Sequence, residues 1–265
     1  MMKAMIFAAG MGTRLKPLTE TMPKALVSVG GKPLLQTQIE RMKAAGITDV
    51  VINVHHFASQ IVRFVAEHAS FGMNIMFSPE MKKLLDTGGG IKQAVPLLKP
   101  NPNAKDEFFL IHNVDILSDL DISQWVSTCL EPQSEVVDDD DEQATVPVAY
   151  LLVSDRKTQR YLLFDANDRL VGWMNVSTGE VRSPYLNLDV TKCKRLAFSG
   201  IHLFSTSLFP LFDQYPDKFS IIDFYLDVCN RMVVKGVTVP NLHLMDVGKY
   251  EMLAQADTFV KNLER

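Results

Sequence analysis

The stretch FAAGMGTRLKPLTETMPKAL, residues 7–26, leaves an apolar run and at once collects two glycines, an arginine and, after a proline, a lysine. Gly10-Met11-Gly12 can turn backbone N–H groups into one concavity, which suits phosphate oxygens. Arg14 and Lys24 add two cations beside it. The pattern is not a Walker loop, because no Gly-Lys-Ser/Thr closes it. It is not a dinucleotide fingerprint either, because Leu15 stands where a third glycine or alanine belongs. Much later, IHNVD ends an apolar run with Asp115, and LMDVG does the same with Asp246. Two such aspartates can share one Mg²⁺, which takes one or two carboxylates plus phosphate oxygens and water. LLDTGGG, residues 84–90, puts three glycines before a helical pattern, a start that can receive a polar ligand. Taken singly, each feature has a plain alternative: a turn, a surface charge, a cap or a flexible helix start.

The elements that must position these residues alternate in kind. KAMIFAA, TDVVINV, NIMF and EFFLIH read as strands with continuous apolar faces. PLLQTQIERMKAAG, FASQIVRFVAEH and IKQAVPLL read as amphipathic helices, the first opened by Pro33 and closed by Gly46. Such alternation implies a mostly parallel sheet covered on both faces, with ligands beyond the carboxyl ends of the strands. The second half has another rhythm. YLLF-DAND-RLVGW forms a hairpin pattern, and LAFSGIHLF is a strand interrupted by Gly200, where a ligand or another backbone approaches closely. SIIDFYLDVCNRMVVKG reads as one helix capped by Ser220, and LHLMDVGKYEMLAQADTFVKNL as a strand, a sharp break and a closing helix. The acidic segment 131–143 reads as a solvated loop.

Composition narrows the field. The chain has 265 residues, 47% hydrophobic and 22% charged, with a net charge of −4. An acidic chain makes a nucleic-acid or anionic-membrane surface improbable, so any anion site is local. Three scattered cysteines, Cys129, Cys193 and Cys229, argue against a disulfide framework or a zinc knuckle and suit a reducing cytoplasm. No apolar run approaches the roughly 18 residues of a membrane span. The first ten residues are too short for a secretory h-region.

The combination AAGMGTRLKPLTETMPKALVSVGGKPLL resembles the signature of sugar-1-phosphate nucleotidylyltransferases, and LLDTGGG, NVD, FSGI and MDVG follow in that family's order. The likeness is nearest to N-acetylmuramate-1-phosphate uridylyltransferases and related hexose- and heptose-1-phosphate enzymes. It implies a three-layer Rossmann-like α/β fold with a β-rich annex for the sugar. It also implies a single domain over 1–265, with a nucleotide half at 1–130 and a sugar-phosphate half with closing helix at 144–265. Residue by residue, the resemblance assigns Ala9, Gly10, Gly12 and Thr13 to the nucleotide phosphates, and Arg14 and Lys24 to their neutralisation. Thr87 and Gly88 would approach the base, Asn113 and Gly200 the sugar phosphate, and Asp115 with Asp246 would hold Mg²⁺. Val114 departs from the Asn-Gly-Asp of many relatives, and no counterpart is assigned to their second phosphate-binding lysine.

The reaction so implied joins a nucleoside triphosphate, UTP by preference, to a sugar 1-phosphate. A phosphate monoester, with a second pKa near 6, attacks without a general base. No catalytic histidine or cysteine is therefore needed, and His55, His56, His112, His202 and His243 read as structural or surface groups. Relatives that use GTP or CTP, such as mannose-, heptose- or choline-type enzymes, are the alternative. A glycosyltransferase would not need the Gly-x-Gly-Thr-Arg to Pro-Lys stretch. A regulatory subunit without activity would be free to lose Lys24, Asp115 or Asp246.

Overall fold

The apolar runs of the first half become the centre of a sheet. In the computed structural model, which describes residues 2–81, 83–99, 107–131 and 146–263, β1 (Lys3–Phe7) leads to a short hairpin, β2 (Ser28–Val29) and β3 (Lys32–Pro33), and then to α1 (Leu34–Ala44). There follow β4 (Asp49–Val54), α2 (Ala58–Glu67), β5 (Asn74–Pro79), α3 (Asp86–Leu98), β6 (Phe108–Asn113), β7 (Ile116–Ser118) and α4 (Ile122–Leu130). The second half contributes β8 (Ala149–Ser154), β9 (Arg160–Phe164), β10 (Leu170–Asn175), β11 (Val181–Arg182) and the long β12 (Lys194–Ser205). It closes with α5 (Ile221–Val228), β13 (Val234–Val237), β14 (Leu244–Asp246) and α6 (Leu253–Leu263).

Ten strands share one sheet, ordered β11-β10-β9-β12-β6-β1-β4-β5, with β8 also beside β12 and β13 beside β8. The run β6-β1-β4-β5 is parallel, as the buried apolar strands require. β12 meets β6 antiparallel and carries the annex strands. Side chains of β1 alternate between the two faces. Ala4 and Ile6 join a core with Leu35 and Ile39 of α1, Ile61 of α2 and Trp125 of α4. Met5 joins another with Ile91 of α3 and Phe224 of α5. This gives the three layers expected, α/β/α.

Two elements differ from the sequence reading. The helix expected across 220–236 ends at Val228, and Val234–Val237 is a strand parallel to β8. Here the β-branched pair Val233-Val234 is worth more buried beside β8 than in a solvated helix turn. The glycine triplet of 88–90 lies inside α3 rather than ahead of it. The acidic segment falls at 131–143, and from residue 132 onward it lies outside the described residues.

Candidate active site

The loop after β1 begins with donors already engaged. Ala8 N–H and Ala9 N–H both donate to Asn53 Oδ1, at 2.7 and 3.2 Å. Gly10, Met11 and Gly12 follow with backbone N–H groups that no acceptor among the described residues takes, so the concavity starts one residue later than Ala9. Gly12 has a different duty. Its φ is +61°, its carbonyl accepts from Thr19 Oγ1 at 2.8 Å, and a Cβ there would come within 3.0 Å of Lys24 Cβ. The glycine lets the loop fold onto Lys24, which is only 8% exposed. Thr13 and Arg14 remain at the surface.

Lys24 Nζ donates to Asp115 Oδ2, just beyond the end of β6. Asp246 reaches the same place by a small antiparallel ladder in which it pairs with Ile116, and Val247 N–H donates to the Asp115 carbonyl at 2.9 Å. Gly248 keeps the turn tight: a Cβ there would meet Asp246 Oδ1 at 2.9 Å and Arg14 Nη2 at 3.1 Å. Although Asp246 is exposed, burial and the Asp115 charge push its carboxyl upward, while Lys24, Arg14 and Arg156 pull it down. Two carboxylates thus stand together under three cations.

The opposite wall is built around α3. Each glycine of its first turns answers a separate contact. A Cβ on Gly88 would strike the Phe219 ring at 2.3 Å, one on Gly89 the Asp217 carbonyl at 2.0 Å, and one on Gly90 would crowd Phe7 at 2.9 Å. Gly88 N–H donates to the Phe219 carbonyl at 2.9 Å, so this glycine packs the helix rather than presenting itself to the cavity. Thr87 Oγ1 accepts from Ile221 N–H at 3.0 Å, at the start of α5. Glu80, 3% exposed, is pushed up by burial against hydrogen bonds from Leu85 and Asn53 that hold it down. The close approach expected at Gly200 is made by a side chain: its φ is +74°, and a Cβ would lie 2.5 Å from Asn113 Nδ2.

Between these walls lies a pocket of about 240 Å³. Ala9, Gly10, Lys24, Thr87, Asn113 and Asp115 line it. Arg14 and Asp246 adjoin the carboxylate end, Gly12, Gly88 and Gly200 shape the walls from behind, and Thr13 does not line it. The sequence reading missed Asn53, Glu80 and Arg156. A polar residue inside VVINV was a signal for the first. Glu80 follows the β5 strand end. Arg156, whose Nη2 donates to the Phe198 carbonyl at 3.0 Å, had none.

A family model described as nucleotidyl transferase matches residues 3–161. N-acetylmuramate alpha-1-phosphate uridylyltransferase of Neisseria meningitidis serogroup B is 46% identical over 127 residues, 48% of this chain and 52% of that protein. Mannose-1-phosphate guanyltransferase of Gibberella zeae is 42% identical over 120 residues, 44% of this chain and 31% of that one. The alignments therefore span about half the length of these curated relatives, or less. A solved putative glucose-1-phosphate thymidylyltransferase from Bacillus anthracis superposes with a TM-score of 0.75 at 18% identity, covering 99% of this chain and 96% of that one. HddC from Yersinia pseudotuberculosis, complexed with GMP-PN, gives 0.70 at 22%, covering 98% and 100%. Both share the fold. With a family model matching more than half its length, the chain belongs to the nucleotidyl transferase family.

Proposed function

We propose that this protein transfers a nucleotidyl group from a nucleoside triphosphate, UTP by preference, to a sugar 1-phosphate. The observation that carries the reading is that Lys24 of the first loop and Asp115 past β6 line one pocket, with Arg14 and Asp246 adjoining its carboxylate end. A phosphate oxygen of the sugar 1-phosphate would attack the α-phosphorus. The bond from that phosphorus to its bridging oxygen breaks, and pyrophosphate carries away the electron pair. Repulsion between the two anions is the main obstacle. Lys24, Arg14 and the N–H groups of Gly10 to Gly12 oppose it by neutralising and aligning the phosphates.

The carboxylate end fits Mg²⁺. It offers hard oxygen donors from two neighbouring carboxylates, the one or two that Mg²⁺ takes beside phosphate oxygens and water. Asp115 and Asp246 would hold the ion, which when bound supplies charge neutralisation at the transferring phosphate. Thr87 is proposed at the base, and Asn113 with the Gly200 strand at the sugar phosphate. The nearest acceptor to try is N-acetylmuramate α-1-phosphate, after the Neisseria relative's name. The proposal also includes a nucleotide half and a sugar half within one domain, a cytoplasmic setting and small-molecule partners only. No helix among the described residues is long and apolar enough to cross a membrane. Triphosphates crossed with sugar 1-phosphates under pyrophosphate detection test the reading. Release led by UTP supports it, release led by GTP moves it to the guanylyl relatives, and release by no pair overturns it.

A further inference from the structure

Three strand ends meet under the pocket through a pair of side chains that no step above uses. Asn53, on β4, is 2% exposed, and Glu80, just past β5, is 3% exposed. Asn53 Oδ1 accepts from Ala8 and Ala9 N–H, and its Nδ2 donates to Glu80 Oε1 at 2.7 Å. Glu80 Oε2 accepts from Leu85 N–H at 2.7 Å. Every link has a donor facing an acceptor, and the amide has one allowed orientation, because a flip would set its NH₂ against two backbone N–H groups. The chain of bonds runs from the phosphate loop to the residue that precedes α3. Gly90 leaves the room: a Cβ there would lie 3.1 Å from Asn53 Nδ2 and 3.2 Å from Glu80 Oε1. A solvated polar pair would not need a glycine carved to it, nor would it be shut away from water.

We infer that Asn53 and Glu80 are positioning residues that lock the loop after β1 to the start of α3, setting the spacing between the two ends of the nucleotide pocket. This rests on the transferase reading in one respect, the identity of the ligand that spans that spacing. Ala8, Ala9, Asn53 and Glu80 all line the pocket, so a shift of the loop relative to Thr87 changes the fit of a ligand touching both. The acceptor sugar, proposed to lie beyond Asn113, would be affected much less.

Exchanging the two groups tests this. In Glu80→Gln, one oxygen can still serve Leu85, but the new NH₂ faces Asn53 Nδ2, and relief by an amide flip would abandon Ala8 and Ala9. Adding Asn53→Asp restores every donor–acceptor pair and the net charge of the pair. The expected result is a UTP KM raised roughly tenfold to a hundredfold in Glu80→Gln, the scale of an unpaired buried group. The sugar 1-phosphate KM should stay within about twofold, and the UTP KM should return to within about threefold of wild type in Asn53→Asp/Glu80→Gln. If Glu80→Gln fails to fold, a folded and active double variant supports the lock equally. An unchanged UTP KM in the single variant, or a double variant no better than the single, overturns it. Equilibrium binding of UTP to the unreacted protein reads the same network apart from turnover. A wild type that binds UTP but releases no pyrophosphate would sink the transfer reading alone.

Discussion

The two ends of the pocket treat carboxylates in opposite ways. At the floor, Glu80 is shut in, and both its oxygens are met by N–H donors aimed at them. At the mouth, Asp115 and Asp246 stand together, and burial first and the Asp115 charge second push the Asp246 carboxyl up against the pull of Lys24, Arg14 and Arg156. A buried network satisfied within itself has no valence left for a ligand and serves to hold shape. A cluster whose charges remain at odds gains most when a cation and phosphates arrive. The difference teaches where to look for binding and where for alignment, although both ends rest on strand termini of one sheet.

The sharpest way to break the contrast is at the mouth. Asp115→Asn or Asp246→Asn should cut kcat by about a thousandfold with Mg²⁺ present, the upper scale of losing one electrostatic stabiliser. In the same Asp246→Asn protein, Tm without metal should rise, because a partly desolvated carboxylate charge beside that of Asp115 is gone. Near-normal magnesium-dependent rates, or a fall in Tm, would show that the mouth is as self-satisfied as the floor. Lys24→Ala comes next, with kcat lower by about a hundredfold and the UTP KM little changed if the cation meets charge mainly as it develops on the leaving pyrophosphate. Lys24→Arg should rescue poorly, since a planar fork replaces a compact charge. Steady-state kinetics decide, and an unchanged kcat/KM in Lys24→Ala would reduce the residue to a partner of Asp115.

Glycines sharpen the comparison at smaller scale. Gly89→Ala sets a methyl 2.0 Å from a backbone carbonyl, and should cost about 1–3 kcal/mol of stability in chemical denaturation. Gly10→Ala meets nothing within 4 Å, so its stability should be unchanged while nucleotide affinity falls at the wall it narrows. Equal stability losses in the two would mean that the glycines do not divide into packing and ligand roles.

Acid probes the sheet between the ends. Burial holds His112 and His202 at about 3, His112 with help from the Arg41 charge, and each sits on a central strand. The unfolded chain takes up protons at these histidines below about 6.5, and the folded one does not. The stability they confer is therefore complete above 6.5 and lost as pH falls from there towards 3, by about 1.4 kcal/mol per pH unit for each histidine. Urea midpoints of wild type and His202→Gln across that window check the sign: the variant should show the shallower decline. Parallel curves would mean that His202 titrates alike in both states.

Much of the parallel core could be read directly. KAMIF, DVVINV and FFLIHN carry continuous apolar runs, and Pro33 and Gly46 bracket a helix whose Leu35, Ile39 and Met42 fall on one face. The first loop was equally legible, because two glycines and two cations within 15 residues need no distant partner to be noticed. Where the reading failed, a local pattern was overruled by remote contacts. Val234–Val237 looked like the tail of a helix until β8 offered it a strand partner. The glycine triplet looked like a loose helix start, whereas Gly88 and Gly89 accommodate Phe219 and Asp217, some 130 residues onward, and Gly90 accommodates Phe7, Asn53 and Glu80.

By itself the sequence determined the alternation of elements and picked out the glycine-rich first loop and the two aspartates, because these depend on periodicity and on residue types that act locally. Only the tertiary structure decided that Asp246 stands beside Asp115, through a ladder between β7 and β14 that joins positions 130 residues apart. It alone decided that Ala8 and Ala9 spend their N–H groups on Asn53, and that Gly200 lies against the Asn113 side chain. Hydrogen bonds and close contacts of this kind are set by distances between strands, and a chain carries no local record of which strand will lie beside it.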